Sequence, residues 1–327
     1  MLAFLIRRLL QSLAVMVTVA LVSFVLFQFV GDPVTFILGQ DATAEEKVRL
    51  RVELGLDAPI PVQFATFVSN AAQGDFGYSL RQGRKVSELI AEKAPATLEL
   101  SFAAMFIALV LGIPAGVYCA LKKESNVAKF LMGASLLGVS LPTFLIGIFL
   151  ILAFSVGLGW LPSFGRGDTV KLGGWSTGLL TASGWSHIIL PAITLSLFQL
   201  TMIMRLIRVE MLEVLRADYI KFARARGLSQ NAIHFGHALK NTLVPVMTIV
   251  GLELGGVIAF AIITETVFQW PGMGMLFIQA ISFADIPVMA AYLCLISLIF
   301  VTINFVVDVL YVMVDPRLRI SSQNNAH

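Results

Sequence analysis

Residues 218–246 read DYIKFARARGLSQNAIHFGHALKNTLVPV and lie between two long apolar runs. The stretch concentrates positive charge in a chain in which 13% of the residues are charged and 57% are hydrophobic. That hydrophobic share is above the globular average, and a soluble domain of this length could not cover itself with so few charges. The sequence therefore predicts an all-α integral membrane protein that crosses the bilayer several times.

Six apolar runs are long enough to cross a membrane as helices, since a span needs about 20 residues. They are residues 9–30, 98–121, 130–158, 188–204, 243–263 and 288–307. The first follows Arg7 and Arg8 but is longer than the apolar region of a signal peptide, which predicts a retained span. The third contains Pro142, which predicts a kink or a strong tilt. The fourth is short and ends against Arg205 and Arg208.

The distribution of Lys and Arg predicts which side of the membrane each connection occupies. With six spans, 14 of the 23 Lys and Arg fall on the side of the two termini and of the 218–246 stretch, and nine fall on the other side. Short cytoplasmic loops of membrane proteins carry an excess of Lys and Arg. The termini and the basic stretch are therefore predicted to lie in the cytoplasm.

The connection between the first two spans, residues 31–97, is long enough to fold as a small outer subdomain. ATAEEKVRLRVELGL at 42–56 has apolar residues at helical spacing, and the prolines of LDAPIPVQFATFVSN at 56–70 mark a turn before another short helix. QGDFGYSL at 73–80 is glycine-rich and predicted to be irregular. The chain thus divides into a first span (1–30), the outer subdomain (31–97), a core of spans (98–315) containing the loop 205–241, and a tail (316–327).

The first half of the basic stretch predicts a short helix with Asp218 as N-cap and Gly227 as C-cap. Lys221 and Arg224 share one face of this helix, whereas Ile220, Ala223 and Gly227 form a small apolar face. One interpretation is a loop whose cations set topology and contact anionic lipid. The other is a docking helix for a soluble partner, because small residues at Ala223 and Gly227 let another surface approach closely.

The stretch resembles the cytoplasmic EAA loop of ABC-importer permeases. Ala223, Gly227 and Leu239 match that pattern, whereas Lys221 and Phe222 stand where it has Glu and Ala. DYIKFARARGL followed by HALKNTLVPV is similar to the branch of dipeptide and oligopeptide permeases. Other segments resemble that branch in order and spacing along nearly the whole chain: VGDPV, LGLDAPIPVQF, QGDFGYSL, APATLELS, ILPAITL, ITETVFQWPGMG and VDPRLRI.

The resemblance implies six transmembrane helices in the type I ABC-importer architecture and a transport subunit that forms half of a translocation path. The implied partners are a second, related permease chain, two cytoplasmic ABC ATPases, an extracytoplasmic binding protein and membrane lipid, with no nucleic acid. The implied cargo is a dipeptide or oligopeptide, with glutathione, nickel chelates or opine-like compounds as alternatives. The residues implied to couple to the ATPase are Asp218, Tyr219, Lys221, Phe222, Ala223, Arg224, Arg226, Gly227, Leu228 and Leu239.

Carboxylates in or near the spans are candidates for the path, because a carboxylate exposed to hydrocarbon costs at least about 3 kcal/mol. Glu253 lies deep in the fifth span beside Gly255 and Gly256, where a helix or a substrate could come close to the backbone. A hydrogen bond inside the bundle explains Glu253 equally well. Glu265 lies at the end of that span and is a second candidate.

The sequence lacks two motifs that would indicate chemistry in this chain. These are the GxxxxGK[ST] loop that cradles nucleotide phosphates and the HExxH motif. Its histidines and cysteines show no metal-ligand spacing. We therefore expect no catalytic residue, metal or cofactor here, with ATP and Mg²⁺ bound by a partner ATPase, and we regard an intramembrane enzyme or a secondary carrier as the alternatives from other classes.

Overall fold

The computed structural model describes residues 2–29, 34, 38, 43–53, 56–79 and 81–314, of which 2–5, 27–29, 50, 53 and 310–314 are described as backbone only. The helices are α1 (Leu2–Phe29), α2 (Ala44–Glu53), α3 (Ile60–Ala72), α4 (Val86–Leu121), α5 (Asn126–Ser140), α6 (Thr143–Leu150), α7 (Ala182–Val214), α8 (Asp218–Ala225), α9 (Leu239–Val267), α10 (Met273–Ser282) and α11 (Ile286–Val314). Ile151–Gly157 and Ala232–Ala238 are π-helical, and β1 (Val170–Leu172) pairs with β2 (Trp175–Thr177).

The described part of the chain supplies the predicted spans. Five helices are long and apolar enough to cross a membrane, and the bent pair Asn126–Ser140 and Thr143–Gly157 makes a sixth when it is counted as one span. The bend is 110° and falls at Leu141–Pro142. The kink predicted from Pro142 is therefore confirmed, because proline cannot continue the backbone ladder of the preceding helix.

The helices extend beyond the apolar runs that predicted them. The second span was predicted to start at residue 98, but α4 already starts at Val86. The fourth was predicted to stop at residue 204, but α7 continues to Val214. Ile207 and Met211 are buried on that extension, so its charged residues occupy only the other face. The helix ends indicated by hydropathy are wrong at these two places. Hydropathy follows the part of a helix that crosses the bilayer, and it does not show where the helix itself begins or ends.

One compact unit comprises Met1–Thr97, Lys171–Ser176 and Pro271–Thr302. The helices predicted for the outer segment are present as α2 and α3, and residues 73–79 are turns and irregular backbone as predicted, whereas most of 31–42 lies outside the described residues. Thr43 begins α2 with a capping box, since its hydroxyl accepts from the Glu46 amide and Glu46 accepts from the Thr43 amide at 2.9 Å. The buried core is formed by Val86, Leu89, Leu276, Ala280, Val288 and Ala291.

The other compact unit comprises Leu98–Val170, Thr177–Trp270 and Ile303–His327. Within it α7 packs against α5, α6 and α9. Glycines permit the close crossings: a Cβ at Gly116 would lie 2.6 Å from the Met204 carbonyl oxygen, and one at Gly138 would lie 2.6 Å from the Thr201 hydroxyl. Such approach of backbones through small residues is how helices associate in membranes. This unit contains the basic stretch and the candidate path residues.

Candidate coupling loop, path residues and a buried ion pair

The short helix predicted in the basic stretch is α8, and each of its caps lies one residue before the predicted position, since the C-cap is Arg226 and Gly227 follows it. Ala217, and not Asp218, is the N-cap, and Asp218 is the first helical residue. At the other end the Leu228 amide donates to the Ala223 carbonyl at 3.3 Å and the Gly227 amide donates to the Arg224 carbonyl at 2.9 Å. This is a Schellman ending, with Gly227 in the left-handed region at φ +77°. Gly227 is therefore required by the backbone, as the sequence predicted for a helix end.

The two faces of α8 are the reverse of what the docking hypothesis assumed. Ala223 is 8% exposed and Ile220 is fully buried, so the small apolar face packs inside the chain. The exposed side chains include Tyr219 at 45% and Phe222 at 65%. The expectation that Ala223 offers an open surface to a partner is wrong, whereas a Cβ built at Gly227 meets no atom within 4 Å.

The exposed face of α8 combines aromatic rings with cations. Lys221, Arg224 and Arg226 are exposed, and the Arg226 guanidinium carbon lies 5.9 Å from the centre of the Phe222 ring. Lys221 Nζ donates to Asp218 Oδ1 at 2.8 Å, and this hydrogen bond lowers the pKa of the exposed Asp218 carboxyl. Aromatic and arginine side chains are those that protein interfaces favour.

The rest of the coupling set lies beside α8. Leu228 and Leu239 are half-buried, the latter as the first residue of α9. The Asn241 amide nitrogen donates to the Tyr219 hydroxyl at 2.7 Å, which ties α8 to the start of α9. The ring of Tyr219 is thereby held in place while part of it stays exposed. The ten predicted residues thus lie on α8, directly after it or at the start of α9, and Ala223 is the buried one among them.

The four candidate path residues all lie on α9, but their surroundings differ. Glu253 is half-buried on α9 and Gly255 is buried. A Cβ at Gly256 would meet no atom within 4 Å, so this glycine leaves open space, whereas a Cβ at Gly251 would overlap the Val307 side chain. Close packing between α9 and α11 therefore depends on Gly251, which the sequence did not single out, whereas the path role of Gly256 stays a prediction.

Glu265 lies in a buried position at the end of α9. It has no exposed surface, and it lies on the last turn of α9 among the buried residues Thr264 and Phe268. Its backbone carbonyl accepts from the Trp270 amide at 2.8 Å, which closes the turn that follows the helix. The path role of Glu265 stays a prediction, and in this structure the residue is buried beside the turn that contains Trp270.

A buried ion pair is the main feature that the sequence did not predict. Arg166 Nη2 lies 2.6 Å from Glu99 Oε2, and the two side chains are 7% and 5% exposed. The Gly178 amide also donates to Glu99 Oε2 at 3.3 Å. Glu99 is the second residue of the predicted span 98–121, and Arg166 is one of the nine Lys and Arg on the predicted outer side. The available signal was a carboxylate near hydrocarbon, which requires a partner.

Within the described residues, no group of three or more His, Cys, Asp or Glu side chains is placed to hold a metal ion. The predicted absence of a metal and of other cofactors stays a prediction. The chemistry that the site offers is instead a cationic aromatic surface on one side and a half-buried carboxylate in a helix with an open glycine.

Comparison with known proteins identifies the family. The model of the binding-protein-dependent transport system inner membrane component matches residues 112–320, and that of the N-terminal part of such membrane components matches residues 1–101. The chain is 42% identical over 333 residues to the di/tripeptide transport system permease protein DppB of Pseudomonas aeruginosa, covering 98% of this chain and 99% of that protein. It is 38% identical to the dipeptide transport system permease protein DppB of Alkalihalophilus pseudofirmus, covering 98% and 100%.

Two further similarities extend the comparison. The glutathione transport system permease protein GsiC of Escherichia coli K12 is 38% identical, with 98% of this chain and 99% of that protein covered. A chain of the inward-facing methionine ABC transporter MetNI has a TM-score of 0.53 at 18% identity, covering 67% of this chain and 93% of that chain, which shows the shared fold alone. Together with the apolar helices, these matches show that the chain belongs to the binding-protein-dependent transport system inner membrane components and is a multi-pass permease subunit of an ABC transporter.

Proposed function

We propose that the chain imports peptides of the dipeptide and oligopeptide class, as half of a translocation path that separate ATPases drive. The observation that carries this proposal is the similarity, at 38% and 42% identity over 98% of the chain, to permeases named for dipeptides and di/tripeptides. A second permease chain of related sequence completes the path, because six spans enclose little volume by themselves. A binding protein outside the membrane delivers the peptide.

The exposed face of α8 is the proposed contact with an ATPase. Tyr219 and Phe222 supply apolar area, and Lys221, Arg224 and Arg226 surround them with positive charge. A rim of charge steers association and tunes its rate, whereas buried aromatic anchors supply most of the affinity. Substitution of Phe222 is therefore expected to weaken the ATPase contact more than substitution of Lys221. ATP and Mg²⁺ are bound by that partner.

Glu253 is the proposed polar residue of the path. It is half-buried in α9, three residues from the open space at Gly256. A peptide carries a cationic amino group, which a carboxylate beside a wet path attracts. The opposite role, a hydrogen-bond partner inside the bundle, predicts that the amide of Gln replaces it without loss.

Two measurements test the proposal. When the tagged chain is purified in detergent with its operon partners, a chain with the GxxxxGK[ST] motif should co-purify. Isolation without any such chain would contradict the proposed coupling to an ATPase.

Proteoliposomes of that complex, supplied with the binding protein, should take up labelled dipeptides and tripeptides when ATP is inside. Glutathione is the second candidate substrate because of the similarity to GsiC, and uptake of glutathione that peptides do not compete with would favour it.

A further inference from the structure

The Glu99–Arg166 ion pair joins two segments that the chain separates widely. Glu99 lies on α4, and Arg166 lies in the loop 158–181, which connects the end of the π-helical turn to α7. The N–O distance of 2.6 Å and the burial of both side chains place this pair away from water. Removal of either charge would leave the other as an uncompensated ion in the protein interior, which is strongly unfavourable.

The same loop is attached to the end of α9. The Gly165 amide donates to the Phe268 carbonyl at 2.9 Å. The Arg166 guanidinium carbon lies 5.9 Å from the centre of the buried Trp270 ring, within the range of a cation–π contact. The turn that follows α9 and the first half of the loop thus share backbone and side-chain contacts around the ion pair.

The second half of the loop is attached to α4 and to α7. The Gly178 amide donates to Glu99, and the Thr181 hydroxyl donates to the Asp168 carbonyl at 2.7 Å. Thr181 also caps α7 by accepting from the Gly184 amide at 2.9 Å. A Cβ at Gly184 would overlap the Gly178 carbonyl, so the loop and the helix meet backbone to backbone. These contacts attach the second half of the loop to both helices.

We propose that Glu99 and Arg166 are positioning residues that hold the loop, through its residues 158–170 and 177–181, fixed to α4 at Glu99, to the start of α7 and to the end of α9 throughout the transport cycle. These elements then move as one body, and the loop does not lift as a flap when the path opens. This inference rests on the proposed function, because it concerns a transport cycle. The position of the loop can nevertheless be measured without any substrate.

A reversible cross-link tests whether the loop moves. Phe164 and Gln269 are exposed and flank the Gly165–Phe268 hydrogen bond, so cysteines at both positions can be joined by a short cross-linker that contains a disulfide. The native Cys119 and Cys294, both buried, are first replaced by alanine. We expect the linked complex to retain ATP-driven uptake without loss. Uptake that stops on linking and returns after reduction would overturn the proposal, because it would show that the loop must separate from α9.

A labelling experiment tests the role of the ion pair itself. In the cysteine-free background, a cysteine at the buried Thr177 reports whether the loop opens. Glu99→Gln should raise its rate of thiol labelling more than tenfold, whereas Glu99→Gln combined with Arg166→Gln should raise it less, since no buried charge is left alone. Glu88→Gln, an exposed carboxylate on the same helix, is the matched control and should leave the rate unchanged.

Arg166→Lys serves if the Gln variants do not fold. It keeps the charge but loses the planar fork, and an intermediate labelling rate is expected. Labelling in Glu99→Gln or in Arg166→Lys at the parent rate would overturn the positioning role. Because labelling needs neither ATP nor peptide, a failure to import peptides would refute the proposed substrate and leave this result readable.

Discussion

Substitution of Gly227 separates two reasons for a glycine in the coupling loop. The residue ends α8 at φ +77°, and it is exposed at the end of the helix that carries the proposed ATPase contact. Three variants, Gly227→Ala, Gly227→Asn and Gly227→Trp, differ in backbone preference and in size. If glycine is needed only for the backbone, alanine and tryptophan should do equal harm. If a partner must approach closely, the loss of uptake should increase with the size of the side chain at position 227.

The structure fixes the size of the backbone effect. A non-glycine residue in the left-handed region costs about 1–2 kcal/mol, and asparagine tolerates that region better than alanine does. A Cβ at Gly227 meets no atom within 4 Å, so this chain adds no steric term. Alanine and tryptophan therefore strain the loop by a similar amount, which corresponds to roughly a five- to thirtyfold shift in the local equilibrium. Any further loss of uptake in the tryptophan variant, beyond that in the alanine variant, is then caused by a clash with the partner.

The assay is co-purification of the ATPase followed by ATP-driven uptake in proteoliposomes. We expect Gly227→Asn to stay close to the parent, Gly227→Ala to lose part of the uptake and Gly227→Trp to lose both the ATPase and uptake, with membrane insertion unchanged. Gly173→Trp is the matched control, since Gly173 also has a positive φ of +61° and open space, but lies on the predicted outer side. Equal loss in the alanine and tryptophan variants, or normal coupling in the latter, would refute the close-approach argument.

Three further predictions follow from the same unit and from the outer segment. Gly251→Ala should lower stability in detergent by about 1–3 kcal/mol, because its Cβ overlaps Val307, and the added Val307→Ala should restore part of it, whereas Gly256→Ala should not lower the melting temperature. Glu253→Gln should slow cationic peptides more than neutral ones, and a cysteine at Glu253 should react with an aqueous thiol reagent in at least one nucleotide state; protection in every state would exclude the path role. Proteases added from outside should cut residues 42–93 slowly in the assembled complex, and rapid cleavage throughout would contradict an ordered subdomain.

The sequence predicted the spans because apolar composition is dictated by the bilayer, and it predicted the bend because Pro142 acts locally. It did not predict where helices end. α7 begins at a cap formed by the Thr181 hydroxyl and continues past Arg205, since its buried face continues through Ile207 and Met211. Caps and buried faces are properties of neighbouring residues and of packing, and a count of apolar residues contains neither.

The orientation of α8 shows a second limit. Ile220 and Ala223 are three residues apart, and so are Tyr219 and Phe222, so helical spacing offers two apolar faces of equal standing. The fold chooses between them through contacts made elsewhere in the chain, such as the bond between Tyr219 and Asn241, 22 residues away. The sequence could therefore identify the helix and its glycine ending, but not the face that a partner would meet.

Arg166 shows why charge counting and charge pairing have to be kept apart. The positive-inside comparison counted Arg166 among nine cations on the outer side, as if each were a solvated loop residue. In the fold its guanidinium is buried against Glu99 and near Trp270, and it contributes nothing to the surface charge of that side. The predicted orientation does not depend on Arg166, because the outer count without it is eight Lys and Arg against 14 on the other side. When a carboxylate lies near the end of a predicted span, a cation in a neighbouring loop is a candidate partner for it. Such a cation should be tested for pairing before it is used in the count that predicts topology.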